Sequence, residues 1–288
     1  MQATNRQHAP HRPAVGRRRA GMTLVEVIVA TAVFAILLLG FGLVFSQTHK
    51  VVDTAESAMR ANAKAAAITR TIRRDLSRAS QQGLLALGYD DDGGYDDGQS
   101  RPRLILTAAG PTPSLTGSAR GNGALVCLGA RPKSASEADE FILWRAGYVL
   151  SPDAASGADV FDGGGFDLAD LQALPQPEMG DLVDDLCGLG AYNDDLTVPP
   201  TNLGEIGQLW QVLSAWCTEL EIAWTDGPAG GGGGGVLDWN EDAALWTHHD
   251  QNAWPVAIRI RFRLVDPTLP EEMRGDGYWY EVICPVGG

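Results

Sequence analysis

The pattern of apolar and polar positions changes character twice along the chain. From Met22 to Phe45 apolar residues run almost unbroken, with Glu26 as the single formal charge. As a helix this segment would rise about 36 Å, enough for the roughly 30 Å hydrocarbon core of a bilayer. Beyond Phe45 the chain turns polar but keeps a helical rhythm to about Gln82. Val52, Ala55, Met59, Ala63 and Ala66 recur at spacings of three and four, and Ile68, Ile72, Leu76 and Ala79 continue the stripe. Neither Gly nor Pro interrupts it before Gly83. The pattern predicts one long helix, membrane-embedded in its first half and packed by the stripe onto a sheet in its second. Arg60, Arg70, Arg73, Arg74 and Arg78 then face solvent or partners.

Past Gly83 the chain breaks into short apolar runs separated by Gly, Pro and Asp, the signature of antiparallel strands joined by long loops. Strands are expected at Arg103–Thr107, Ala124–Leu128, Glu140–Leu150, Cys217–Trp224, Val256–Val265 and Tyr278–Cys284. In VAIRIRFRLV, Ile258, Ile260, Phe262 and Leu264 fall on one face and Arg259, Arg261 and Arg263 on the other. CTELEIAW offers Glu219 and Glu221 at matching parity, so the two strands are predicted neighbours paired by opposite charge. The run Gly230–Gly235 between them lacks the Lys-Ser/Thr of a phosphate loop and reads as a flexible hairpin excursion. The fold class expected is α+β, a long N-terminal helix packed on an antiparallel β-sheet head with long loops.

Charge narrows the functional classes. The formal charge is −14, yet the first 21 residues hold five arginines and no acid; losing them would leave the remainder at −19. Nucleic-acid phosphates would be repelled by so acidic a body. Cys127, Cys187, Cys217 and Cys284 lie far apart without zinc-type spacing, and free thiols and one or two disulfides both fit. No GxSxG or HExxH motif is present, and no pair among the 36 acids singles itself out, so the chain is read as a non-enzyme.

The arginines before the apolar run orient it by the positive-inside rule, leaving the leader in the cytoplasm and the rest across the membrane. An ionisable residue inside a membrane helix is costly, so Glu26 calls for a partner or a function. The string Gly21-Met22-Thr23-Leu24-Val25-Glu26 ahead of the apolar run closely resembles the class III signal of type IV pilins and type II secretion pseudopilins. The resemblance implies cleavage after Gly21 by a prepilin peptidase/methyltransferase, an N-methylated terminus at Met22, and Glu26 as the acidic residue used in assembly. It divides the chain into a cleaved cytoplasmic leader (1–21), a transmembrane assembly helix (22–45), an amphipathic helix (46–82) and a periplasmic β-rich head (83–288). Met22 departs from the commoner phenylalanine. The region WTDG, a Trp-containing loop, WP and IRIRFRL is loosely similar to the distal part of J-type minor pseudopilins.

The implied function is that of a structural minor subunit at or near the tip of a type II secretion pseudopilus, because a head of about 200 residues is bulky for a repeating shaft. The alternatives are a minor pilin of a type IV pilus and a signal-anchored periplasmic binding module. Other pilin-like subunits and the inner membrane are the expected partners. The head is expected in the periplasm, or outside the cell if it belongs to a pilus.

Two further clusters invite chemistry. YDDDGGYDDG packs five aspartates on a Gly-rich loop. Asp90, Asp92 and Asp96 are the best candidates for Ca²⁺, against the alternative of a solvated acidic loop, since the spacing is not that of an EF-hand. No other cofactor is expected. His248-His249-Asp250 offers a metal or general-base motif, but on an extended chain adjacent side chains would point to opposite sides.

Overall fold

The structure, a computed structural model, describes residues 22–90, 101–113, 120–132, 141–150, 168–188, 208–228, 237–250 and 254–286. Two compact units divide the chain, one ending at Val52 and the other starting at Asp53. Helix α1 (Leu24–Leu76) supplies the described part of the first unit and opens the second. It ends short of the expected Gln82, in a turn where the N–H groups of Arg78 and Ala79 donate to the carbonyls of Asp75 and Leu76.

In the second unit α1 packs through Ser57, Ala61, Ala65, Ile68, Ile72 and Leu76. Small residues in its first turns let the helix backbone approach the sheet closely. This corrects the predicted stripe: Ile68, Ile72 and Leu76 face the core as expected, but Ala55, Met59, Ala63 and Ala66 are exposed, Met59 by 70%. ANAKAAA is nearly apolar on every side, so a 100° step per residue fits two opposite faces equally well. The sheet, not the periodicity, selects which face is buried.

The head is one antiparallel sheet of eight strands: β1 (Leu84–Asp90), β2 (Arg101–Pro113), β3 (Arg120–Pro132), β4 (Phe141–Leu150), β5 (Gln208–Thr225), β6 (Ala244–Thr247), β7 (Ala257–Leu264) and β8 (Tyr278–Pro285). Their order across the sheet is β6-β1-β2-β3-β4-β5-β7-β8. All six expected strands form, mostly longer than expected; β1 and the four-residue β6 are additions. Three short α-helices are additions as well, one of them the single turn Glu271–Arg274. Helices α2 (Leu168–Ala173) and α3 (Gln176–Gly188) place Leu171, Leu182 and Val183 in a second core with Leu84, Ile105, Leu125, Trp144 and Tyr148. This core lies on the sheet face opposite α1. Covered on both faces, β4 is apolar almost throughout, FILWRAGYVL, with no alternation.

β5 changes neighbours along its length, pairing β4 from Gln208 to Cys217 and β7 from Cys217 to Thr225, with a register shift where they meet. Cys217 sits at that shift, its thiol donating to the Glu219 carbonyl at 3.2 Å; burial pushes its pKa up to about 12. It and Cys284 are buried free thiols. The predicted pairing of the two charged strands is present: Glu219 lies opposite Arg263 and Glu221 opposite Arg261. Arg263 bonds Glu219, Arg261 reaches Glu221 at 2.7 Å and Glu281 on β8 at 3.7 Å, and Arg259 reaches Glu241 at 3.3 Å. These ladders are partly exposed, so each is worth about 1 kcal/mol or less.

Two polar contacts fasten α1 to the end of the sheet. Arg60 Nε and Nη2 donate to Asp266 Oδ2 at 3.1 and 3.0 Å, while the Thr268 amide and hydroxyl donate to Oδ1 at 2.9 and 2.7 Å. Tyr280 donates its hydroxyl to Asn62 at 2.9 Å. Burial alone would raise the Asp266 pKa, but hydrogen bonds from Thr268, Arg60 and Ser57 hold it below the usual carboxylate value. A depressed folded pKa stabilises above the unfolded value and is lost as pH falls through the folded one. The urea midpoint of the detergent-solubilised chain should therefore fall on acidification below roughly pH 4, and Asp266→Asn should flatten that fall.

Candidate assembly site

The site predicted from sequence lies at the start of α1. Thr23 precedes the first helical residue, and its side chain and that of Glu26 satisfy each other's backbone. The Thr23 amide donates to Glu26 Oε2 at 2.8 Å and its hydroxyl donates to the same oxygen at 3.1 Å; the Glu26 amide donates to Thr23 Oγ1 at 3.3 Å. The Val27 amide donates to the Thr23 carbonyl at 3.2 Å, closing the first turn. This is a reciprocal capping box, which removes two unpaired donors from the helix start. Its signal, Thr-x-x-Glu at 23–26, is legible in the sequence and gives Glu26 a local partner that charge alone does not reveal. Gly21, the residue before the expected cut, lies outside the described residues; Met22 is the first described and is 69% exposed.

Beyond the cap, the helix is long and apolar enough to cross a membrane, and none of its most apolar stretch is buried. Leu24, Phe34, Leu39, Phe41 and Phe45 all project outward. The two threonines return their hydroxyls to the helix: Thr31 donates to the carbonyls of Val27 and Ile28 at 3.0 and 2.9 Å, Thr48 to Val44 at 2.8 Å. Neither of these two hydroxyls needs water. Glu26 is the one formal charge of the apolar segment, and both of its bonds to Thr23 use Oε2.

In the second unit the exposed row Ala55, Met59, Ala63, Ala66 lies on the helix face opposite the row buried against the sheet. Small residues with one flexible methionine form a surface on which another helix can approach closely.

Asp90 closes β1 opposite Arg101 in the register; its side chain, with Asp92 and Asp96, lies outside the described residues, as do Gly230–Gly235. His248 and His249 stand in a 3-10 turn rather than on an extended chain, their rings 3.8 Å apart, so the expected opposite orientation is corrected. The turn forms because the His249 amide is taken by Thr247 Oγ1 at 3.2 Å. Among the described residues no group of three His, Cys, Asp or Glu side chains could hold a metal ion.

Comparison with known families bears on this end of the chain. Residues 16–42 match the prokaryotic N-terminal methylation motif. The match spans Arg17, Arg18 and Arg19, the expected cut and most of the apolar segment, and makes the N-terminus a prepilin-type signal like that of type IV pilin-like subunits. No curated protein matches the chain.

Proposed function

We propose that this chain is a minor pseudopilin of a type II secretion system, carried at or near the tip of the pseudopilus. The observation that carries the reading is the methylation motif over residues 16–42, which brings with it cleavage after Gly21 and methylation at Met22 by a prepilin peptidase/methyltransferase. The apolar helix then stays in the inner membrane as a single anchor until the subunit is drawn into a filament of like helices. Cleavage frees an α-amine four residues from Glu26, and a carboxylate can neutralise that amine in its own chain or a neighbour's. The chain's role is association, without catalysis.

Three features support the finer assignment. Both apolar surfaces of α1 suit a bundle of neighbouring helices: the fully exposed segment from Leu24 and the outward row at Ala55, Met59, Ala63 and Ala66. Among the described residues the head adds three short α-helices and eight strands to α1, more bulk than a close-packed shaft accommodates. The stretch from the end of β5 through β7 carries the WTDG and IRIRFRL strings of the J-type resemblance. The head stands in the periplasm by the charge of the leader. Calcium on the Asp-rich loop remains a proposal of its own, resting on Asp90, Asp92 and Asp96 as hard oxygen ligands.

N-terminal sequencing and intact mass of the membrane-extracted protein test the central step. A chain beginning at N-methyl-Met22 is expected; one that keeps residues 1–21 would overturn the reading. Deleting the gene should block release of secreted proteins while leaving surface pili, and the reverse phenotype would move the chain to a type IV pilus.

A further inference from the structure

The outer strand β8 carries an unfinished charge pattern. Across the solvent face of β5, β7 and β8, one row reads Glu221, Arg261, Glu281 by direct register. Arg261 lies between the two carboxylates, 2.7 Å from Glu221 and 3.7 Å from Glu281. Each strand thus answers the charge of its neighbour until β8, the last strand among the described residues. There the Glu281 carboxylate is about half exposed and shares a cation that Glu221 already binds more closely.

On either side of Glu281 the same face presents Trp279, 41% exposed, and Ile283, 43% exposed. The strand is held ready. Arg261 and Arg263 stack on the Trp279 ring at 4.9 and 5.7 Å, and from the opposite face Tyr280 stacks on Phe262 and bonds Asn62. Gly277, at φ +75°, sets the turn into β8, where a Cβ would lie 2.7 Å from the Leu264 carbonyl. Pro285 closes the strand, which leaves seven pairing positions, about 23 Å of edge. Natural edges are commonly guarded by charged side chains, proline or bulges along their length; here the first seven residues, YWYEVIC, carry one charge, Glu281, and no proline.

We infer that β8 is a docking edge for an extended segment of another protein, added as a ninth strand, with a lysine or arginine opposite Glu281 and apolar residues two positions to each side. The cation completes the Glu-Arg-Glu row, and the apolar neighbours lie against Trp279 and Ile283. A second copy of this chain is disfavoured by the same register. Antiparallel β8 strands centred on Glu281 would set carboxylate against carboxylate, and centred on Val282 would leave each Glu281 facing an isoleucine. The inference rests on the head alone and holds whether the chain serves a pseudopilus or a pilus.

The test uses the full chain expressed in its own host with a photo-crosslinking residue at position 283. One adduct with a different protein is expected, and sequencing of the joined peptide should show an extended segment with its cation placed opposite Glu281. Glu281→Lys should cut the adduct yield at least tenfold while the melting temperature falls by only a few degrees, Glu281→Gln should cut it less, and changing the partner's cation to Glu should restore it to Glu281→Lys. An adduct within the chain itself or with a second copy, a partner segment without a cation, no adduct, or insensitivity to Glu281→Lys would each overturn the inference.

Discussion

Glu26→Gln is expected to be cut and methylated like the parent chain yet to reach assembled filaments at less than a tenth of the parent's level. The substitution separates the helix cap that Glu26 forms with Thr23 from the assembly role proposed for the same side chain. A capping box accepts glutamine in place of glutamate, so the bonds to the Thr23 amide and hydroxyl survive and α1 starts where it did. What disappears is the negative charge at the edge of an apolar segment. In a packed filament the freed α-amine would then be withdrawn from water without its counter-ion. Removing one partner of a buried pair costs about 3–5 kcal/mol, and a tenfold loss needs only about 1.4. Thr23→Ala is the complement: it loses the cap, about 1 kcal/mol of helix stability, but keeps the charge, and should assemble nearly normally. Immunoblots of sheared filament fractions against whole membranes measure both. Normal assembly of Glu26→Gln would reduce Glu26 to a helix cap.

The second large effect belongs to the head. Asp75, in the last turn of α1, and Arg145, on the α1 side of β4, form a buried two-pronged ion pair, with side chains only 7% and 9% exposed. Arg145 Nε donates to Oδ2, and Nη2 to Oδ1 at 3.1 Å. The pair ties the helix end to the middle of the sheet. Asp75→Ala strands a guanidinium between helix and sheet, where it cannot shed its proton, and should cost about 3–5 kcal/mol. For a unit of this size that lowers the thermal midpoint on the order of 10 °C, visible by circular dichroism of the solubilised chain. Asp75→Ala with Arg145→Met removes both charges and should recover most of the loss. Failure to recover would mean that the pair specifies the packing of α1 rather than merely neutralising itself.

How much of this was legible in the sequence depended on whether one local rule governed each segment. The charged strands around Arg261 and Glu221 could be paired in advance because alternation and opposite charge give the same answer. The buried face of α1 before Ile68 could not be chosen, because alanines on all sides make the periodicity ambiguous until a sheet is present. Helices α2 and α3 were missed because the chain from 151 to 207 is rich in Gly, Pro and Asp, which mask two short amphipathic segments. β6 is only four residues long, too short to show a period. At the N-terminus the membrane segment and the acidic residue stood out, whereas the cap from Thr23, two residues before the nearest valine, is a geometric fact that a charge-based reading passes over.

The pairing of β1 with β6 sets a timetable. Leu84 meets Thr247 and Leu87 meets Ala244 across more than 150 residues of intervening chain. As the polypeptide emerges head-last from its membrane anchor, β1 can find β2 almost at once, but its outer edge stays unsatisfied until the final sixth of the chain arrives. During that interval LLALGYD is an open, apolar template for any other emerging strand. Trp246 and Trp254, buried in the core beside α1, then make β6 a latch that shuts late. Escorting the nascent head through that delay falls to whatever the cell keeps at the membrane surface.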